Sequence, residues 1–82
     1  DPELEKHLKA AEGARKARNR LKQLAEAQAA LKIDPKATRA RFLMGEALLE
    51  TGDVANGCKY LRQAKRVGEA RTILASGRCP AD

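Results

Sequence analysis

Between Arg41 and Lys65 the apolar residues Phe42, Met44, Leu48 and Leu49 recur at helical spacing, Thr51-Gly52-Asp53 interrupts them, and a second periodic set starts at Val54. The pattern predicts a helix hairpin. Gly45 falls inside the first helix and Gly57 near the start of the second, where two antiparallel helices could cross closely if no side chain holds them apart. A glycine inside a helix costs about 1 kcal/mol in isolation, so its presence points to packing rather than propensity.

The same periodicity, more weakly written, precedes and follows this hairpin. Leu4, Leu8, Ala11 and Ala14 form a narrow stripe from Glu3 to about Arg18, opened by Asp1 as a cap and Pro2 at the first helical position. A second helix is predicted over about Arg20 to Ile33, a third over Lys36 to Glu50 and a fourth over Val54 to Val67 with Gly68 as its C-cap. A short closing helix follows from Glu69 to about residue 77, with Ala70, Ile73 and Leu74 apolar. The turn Arg18-Asn19-Arg20 has no glycine, so a single helix from Glu3 to Ile33, carried by Leu21, Leu24, Gln28 and Leu31, competes with the broken version adopted here. A shift of 34 residues lays Leu8 on Phe42, Ala10 on Met44, Ala11 on Gly45, Ala14 on Leu48, Asn19 on Asp53, Ala27 on Leu61 and Ala30 on Ala64. Asp1-Pro2 returns as Asp34-Pro35, 33 residues on, which marks the two pairs as equivalent boundaries.

Met44-Gly45, Leu48, Gly52-Asp53, Gly57, Leu61 and Ala64, in that order and spacing, resemble the tetratricopeptide repeat, a helix-turn-helix unit of about 34 residues. The segment Ala30-Leu31-Lys32-Ile33-Asp34-Pro35 is the most similar to the family; Arg41, where the family usually has tryptophan, and Gly57, where it has alanine, depart from it. The resemblance implies an all-α stack of antiparallel helix-turn-helix repeats, a solenoid fragment of about five helices: repeat one over about 3–33, repeat two over about 36–67, and a closing helix over about 69–77. It further implies a scaffold that holds a peptide or partner helix in a concave groove lined by the first helix of each hairpin. On this sequence the groove-facing positions are Leu8 and Glu12, then Arg39, Phe42, Glu46 and Leu49. An amphipathic partner would find an apolar anchor on Phe42 and Leu49 and a charge partner in Arg39. The same two apolar residues would equally suit contact with neighbouring repeats of a longer parent. The lysine and asparagine with which some relatives hold a C-terminal carboxylate are replaced by Leu8 and Glu12.

Composition sharpens this picture. Eighty-two residues make one small domain, below the size at which a core is comfortably stable alone, so a staple, a partner or a longer parent is expected. Aromatic content is 2% with no tryptophan, which leaves the packing to Leu, Ala, Val and Ile and argues against a sandwich or barrel. No apolar run approaches the roughly 20 residues of a membrane span. The chain opens at Asp1-Pro2 rather than methionine, and the expectation is a segment from the C-terminal end of a larger bacterial-type protein.

Cys58 and Cys79 are the residues with reactive potential. Pivoting a hairpin at Gly68 brings them to nearly the same height on neighbouring helices, within reach of a disulfide; the alternative is two thiols, one buried and one on a frayed tail. A disulfide would favour an extracytoplasmic, periplasmic site over the cytoplasm. Two thiols and a remote His7 do not form a metal set, and His7 has no nucleophile beside it, so it reads as a surface or edge-packed residue. Glu46 and Glu50, one turn apart, read as a solvated face rather than an acid pair. No catalytic constellation or cofactor site is present, and the chain is not expected to be an enzyme.

The net charge of +6 is spread over both halves, eight Lys/Arg against six Asp/Glu in residues 1–35 and nine against five in 36–82. Its densest cluster is Arg15, Lys16, Arg18, Arg20 and Lys22. These cations would suit phosphates or anionic lipid, and a basic module docking on nucleic acid or an acidic membrane is the alternative to the interaction scaffold. Only Phe42 and Tyr60 offer aromatic rings, which disfavours single-strand binding, and acidic protein partners fit the charge as well.

Overall fold

In the computed structural model, which describes residues 1–81, Asp1 caps the first helix by accepting from the backbone N–H of Glu3 at 2.8 Å, and Pro2 takes the first helical position. Five helices follow among the described residues: α1 (Pro2–Lys16), α2 (Arg20–Ile33), α3 (Thr38–Glu50), α4 (Val54–Gln63) and α5 (Gly68–Ala75), with no strand. The chain is all-α. α1 packs on α2, α2 on α3, α3 on α4 and α4 on α5, and α1 also touches α3.

The break between α1 and α2 is real, and it is made without glycine. Arg18 adopts a left-handed conformation at φ 57°, its N–H donates to the Arg15 carbonyl at 3.0 Å, and the Asn19 N–H donates to the Ala14 carbonyl at 2.9 Å. This pair of bonds is the Schellman closure of a helix C-terminus. The end of α3 repeats it: Gly52 has φ 99°, its N–H donates to Leu49 at 3.1 Å, and the Asp53 N–H donates to Leu48 at 2.8 Å. Asn19 and Asp53 then cap α2 and α4 by accepting from the N–H groups of Lys22 and Asn56, each at 3.2 Å. Every one of these positions recurs at an offset of 34 residues, so the two hairpins turn by the same chemistry.

The crossing of α3 and α4 depends on two missing side chains. A Cβ on Gly45 would lie 2.9 Å from the Gly57 carbonyl oxygen and 3.0 Å from the backbone nitrogen of Leu61; a Cβ on Gly57 would lie 2.7 Å from the backbone nitrogen of Leu49 and 2.9 Å from the Gly45 carbonyl oxygen. The obstacles are backbone atoms, which cannot swing aside. α3 itself is buried nearly all round, with Phe42 to Ala47 enclosed without interruption, as expected for a helix gripped by neighbours on several sides. Small residues dominate the rest of the core: Ala11, Ala27, Ala30, Ala40, Ala47, Ala64 and Ala70 are all inaccessible.

Three boundaries differ from expectation. Asp34-Pro35-Lys36-Ala37 forms a turn, with the Ala37 N–H donating to the Asp34 carbonyl at 3.1 Å and the Asp34 side chain accepting from the Lys36 N–H at 3.0 Å, so α3 starts at Thr38 and Pro35 does not repeat the role of Pro2. α4 ends at Gln63 rather than Val67. The Arg71 guanidinium takes the carbonyls of Lys65 and Arg66, both at 2.9 Å, which satisfies the bend between the helices. Gly68 consequently begins α5 instead of capping α4.

Cys58 and Cys79 are joined by a disulfide with their Cα atoms 5.6 Å apart. Cys79 is not on a helix facing α4. It lies beyond α5, where Gly77, at φ 87°, turns the chain back; Arg78 donates to Glu50 at 3.1 Å and Arg62 donates to the Pro80 carbonyl at 2.6 Å. The bridge therefore clips a returning tail onto the second hairpin.

Two predictions follow from the packing. In urea melts, Gly57→Ala is expected to cost about 2–4 kcal/mol through backbone overlap, while Gly13→Ala, with nothing within 4 Å of the added methyl, gains about 0.5–1 kcal/mol and Arg18→Gly a similar amount by relieving the left-handed turn. Equal effects at Gly57 and Gly13 would remove the crossing from the account. Reduction of the disulfide, which closes a span of 21 residues, is expected to cost about 3 kcal/mol, and intact mass under denaturing alkylation should show both cysteines blocked until reductant is added.

Candidate functional site

Of the expected groove positions, Glu12, Arg39, Phe42 and Glu46 are linked through the guanidiniums of Arg15 and Arg39, in an arrangement different from the expectation. Glu12 and Arg15 come from α1, Arg39, Phe42 and Glu46 from α3, and Glu69 from the first turn of α5. Arg39 donates through Nε and through Nη2, the latter at 2.9 Å, to the Glu12 carboxylate, and through Nη1 to Glu69 at 3.1 Å. One guanidinium thus ties three helices together. The two carboxylates hold it charged by hydrogen bonds, Glu12 foremost, against the opposing effect of burial.

Phe42, expected as an apolar anchor, is 0% exposed. The guanidinium carbons of Arg15 and Arg39 lie over its ring, 5.0 and 4.8 Å from the centroid, so an arriving ligand meets cations rather than the phenyl face. Leu49 is also not available: it is buried at the α3–α4 crossing, where its backbone touches Gly57. Leu8 is half-buried against the core. The physical reason is the same for Phe42 and Leu49: α3 is enclosed by α1, α2 and α4, and its large side chains fill the interior.

Glu46 is likewise not part of a solvated face. It is 7% exposed and receives the Arg15 Nε at 2.7 Å, the Arg20 Nη1 at 3.1 Å and the Gln23 Nε2 at 2.9 Å. Gln23 occupies the position equivalent to Gly57 in the first hairpin; it is fully buried, and its amide nitrogen also donates to the Leu43 carbonyl at 2.9 Å. Burial pushes the Glu46 carboxyl upward, but hydrogen bonds from Arg15 and Gln23, with the charges of Arg15 and Arg20, hold it below the ordinary value near 4.5. Gln23 and Glu69 were missed in the sequence; the available signal for Gln23 was a polar residue at an inward position of the 34-residue alignment.

Of the basic cluster, Arg15 and Arg20 are committed to Glu46, while Lys16, Arg18 and Lys22 are exposed. Three guanidiniums and three carboxylates balance across the face, so the surplus charge of the chain lies elsewhere. His7 bridges α1 and α2 through Nδ1 and the Glu26 carboxylate at 2.7 Å, an edge-packed position. No helix among the described residues is long and apolar enough to cross a membrane. Comparison with protein-family models, with curated proteins and with solved structures finds no match.

The sign of the pH dependence follows from Glu46. Its folded-state value is depressed, so its contribution is complete above about 4.5 and is lost as pH falls through the lower folded value. Glu46→Gln is expected to cost about 1–3 kcal/mol at neutral pH and to flatten the acid limb of the stability profile. Urea melts at neutral pH and in acid check this; a wild-type advantage that stays constant into acid would contradict it.

Proposed function

We propose that the chain is a degenerate tetratricopeptide-like interaction module that holds a peptide or partner helix against the face shared by α1, α3 and α5. The observation that carries the reading is the recurrence of turn, cap and small-residue positions at an offset of 34 residues, with α1 set beside α3. Repeats of this kind stack so that equivalent helices line one surface.

The chemistry of that surface favours a charged, amphipathic ligand over a purely apolar one. Arg39, Glu12 and Glu69 are each about a third to a half exposed, and ion pairs with that much water contribute about 0–1 kcal/mol. A carboxylate of the partner can therefore replace Glu12 or Glu69 on Arg39 at little cost, and the released acid can take a cation of the partner. Glu46, enclosed by three donors, stays in place and fixes the platform. The apolar contribution comes from the exposed side of Leu8 rather than from Phe42 or Leu49. An adaptor role within an assembly fits this arrangement.

The test is selection of peptides from a displayed library, followed by affinity measurement with synthetic copies. The expected peptides carry carboxylates beside apolar residues, and Arg39→Gln should weaken them about tenfold. Leu8→Ser is the second variant, with an unchanged helical spectrum as control. Peptides that bind both variants as well as wild type would overturn the proposal. So would binding of an oligonucleotide that depends on Lys16, Arg18 and Lys22 and collapses with salt, in the absence of any peptide ligand.

A further inference from the structure

A second recess, of about 300 Å³, lies where the first hairpin hands over to the second, and none of its residues belongs to the Arg39 cluster. It is lined by Leu31 at the end of α2, Pro35 in the connecting turn, Arg41 on α3, and Lys59, Tyr60 and Gln63 on α4. Leu31 and Tyr60 are half-buried and packed against the core, which makes two of its walls apolar and fixed.

Arg15, Arg20, Arg39 and Arg78 all meet carboxylates. Arg41 instead donates its Nε to the Pro35 carbonyl at 2.9 Å, which fixes the guanidinium plane and leaves both terminal nitrogens without a partner among the described residues. Lys59 is exposed and has no hydrogen bond or ion pair among the described residues, and the Tyr60 hydroxyl has none either. Among the described residues, no carboxylate lines the recess. Two cations, one held in orientation by the backbone, thus stand beside leucine, proline and a phenol ring. A basic recess at Arg15, Lys16, Arg18 and Arg20 differs in both respects: Glu46 already sits in it, and it has no apolar wall.

We infer that this recess binds a peptide carboxylate together with an adjacent aliphatic side chain. The carboxylate sits between Arg41 and Lys59, with the terminal nitrogens of Arg41 offering the paired donors that a carboxylate accepts. The neighbouring side chain lies against Leu31, Pro35 and the Tyr60 ring. The volume, at the lower end of ligand pockets, suits one or two residues of an extended segment. A nucleic acid is less well matched: its backbone calls for a row of cations and its bases for several stacking rings, and the recess has two cations and one ring. The site is independent of the α1–α3–α5 face, and either can fail without the other.

The experiment is a ¹⁵N–¹H titration of the intact, oxidised protein with an acetylated, amidated Leu-Glu-Leu-Glu peptide, its free-acid form, and Leu-Lys-Leu-Lys. Saturable shifts are expected at the amides of Leu31, Arg41, Lys59, Tyr60 and Gln63, with α1 unmoved, and the chain's single tyrosine reports the same event by fluorescence. Lys59→Gln and Arg41→Gln should each weaken binding about five- to tenfold. Lys59 has no structural partner among the described residues, so its variant decides the matter if Arg41→Gln does not fold. Tighter binding of the free acid identifies a chain-terminal carboxylate, and equal binding identifies a side-chain one; both sustain the inference. It is overturned if the lysine peptide binds equally, if the shifts fall on Glu12, Arg39 and Glu69 instead, if none saturates at millimolar peptide, or if a short oligonucleotide occupies the same amides more tightly.

Discussion

The backbone contact between Gly45 and Gly57 is the constraint from which the second hairpin takes its shape. A Cβ on either glycine would lie 2.9 Å from the other's carbonyl oxygen, so the two helices approach until main chain meets main chain. At that separation the neighbouring large residues have one way to fit. Leu61 closes over Gly45, Leu49 over Gly57, and Phe42 and Leu43 turn into the interior with no exposure. An 82-residue chain has little apolar volume with which to build a core. Close approach of helices through alanine and glycine obtains dense packing from small side chains, and the disulfide that holds the returning tail supplies the cross-link expected of so small a domain.

The first hairpin solves the corresponding problem with a polar residue. Gln23 stands where the second hairpin has Gly57, and its amide reaches the Leu43 carbonyl and Glu46 of the next unit. The hairpins are thus fastened internally by different means, and they are fastened to each other by a buried carboxylate surrounded by two guanidiniums and an amide. The carboxylate accepts from all three, and no buried side-chain nitrogen or oxygen among the described residues lacks a partner, which is the condition under which a buried charge is tolerable. This network sits beneath the face proposed for partner binding and separates a fixed layer, centred on Glu46, from an exchangeable one, centred on Arg39.

The architecture was legible because its determinants are local. Apolar periodicity, the Thr51-Gly52-Asp53 turn, the glycine pair and the cysteine pair can each be read within a short window, and the 34-residue shift extended the second hairpin's turn to Arg18-Asn19, where no glycine advertised it. What was illegible is long-range. Glu46 is buried because of residues 23 to 31 positions earlier in the chain, and Phe42 is covered by an arginine from α1 as well as one from its own helix. The early end of α4 has a similar origin: Arg71, beyond the bend, supplies the donors that let the chain leave the helix after Gln63. The repeat resemblance implied a shared face for Glu12, Arg39, Phe42 and Glu46, but it could not say which of them the neighbouring helices would enclose.

The most direct measurement of the central claim is the nuclear Overhauser effect between the α protons of Gly45 and Gly57 in the folded protein. The account predicts a strong cross-peak, accompanied by contacts from Gly45 to Leu61 and from Gly57 to Leu49. Glycine α protons that see only their own helices would show the rods standing apart, and would contradict it.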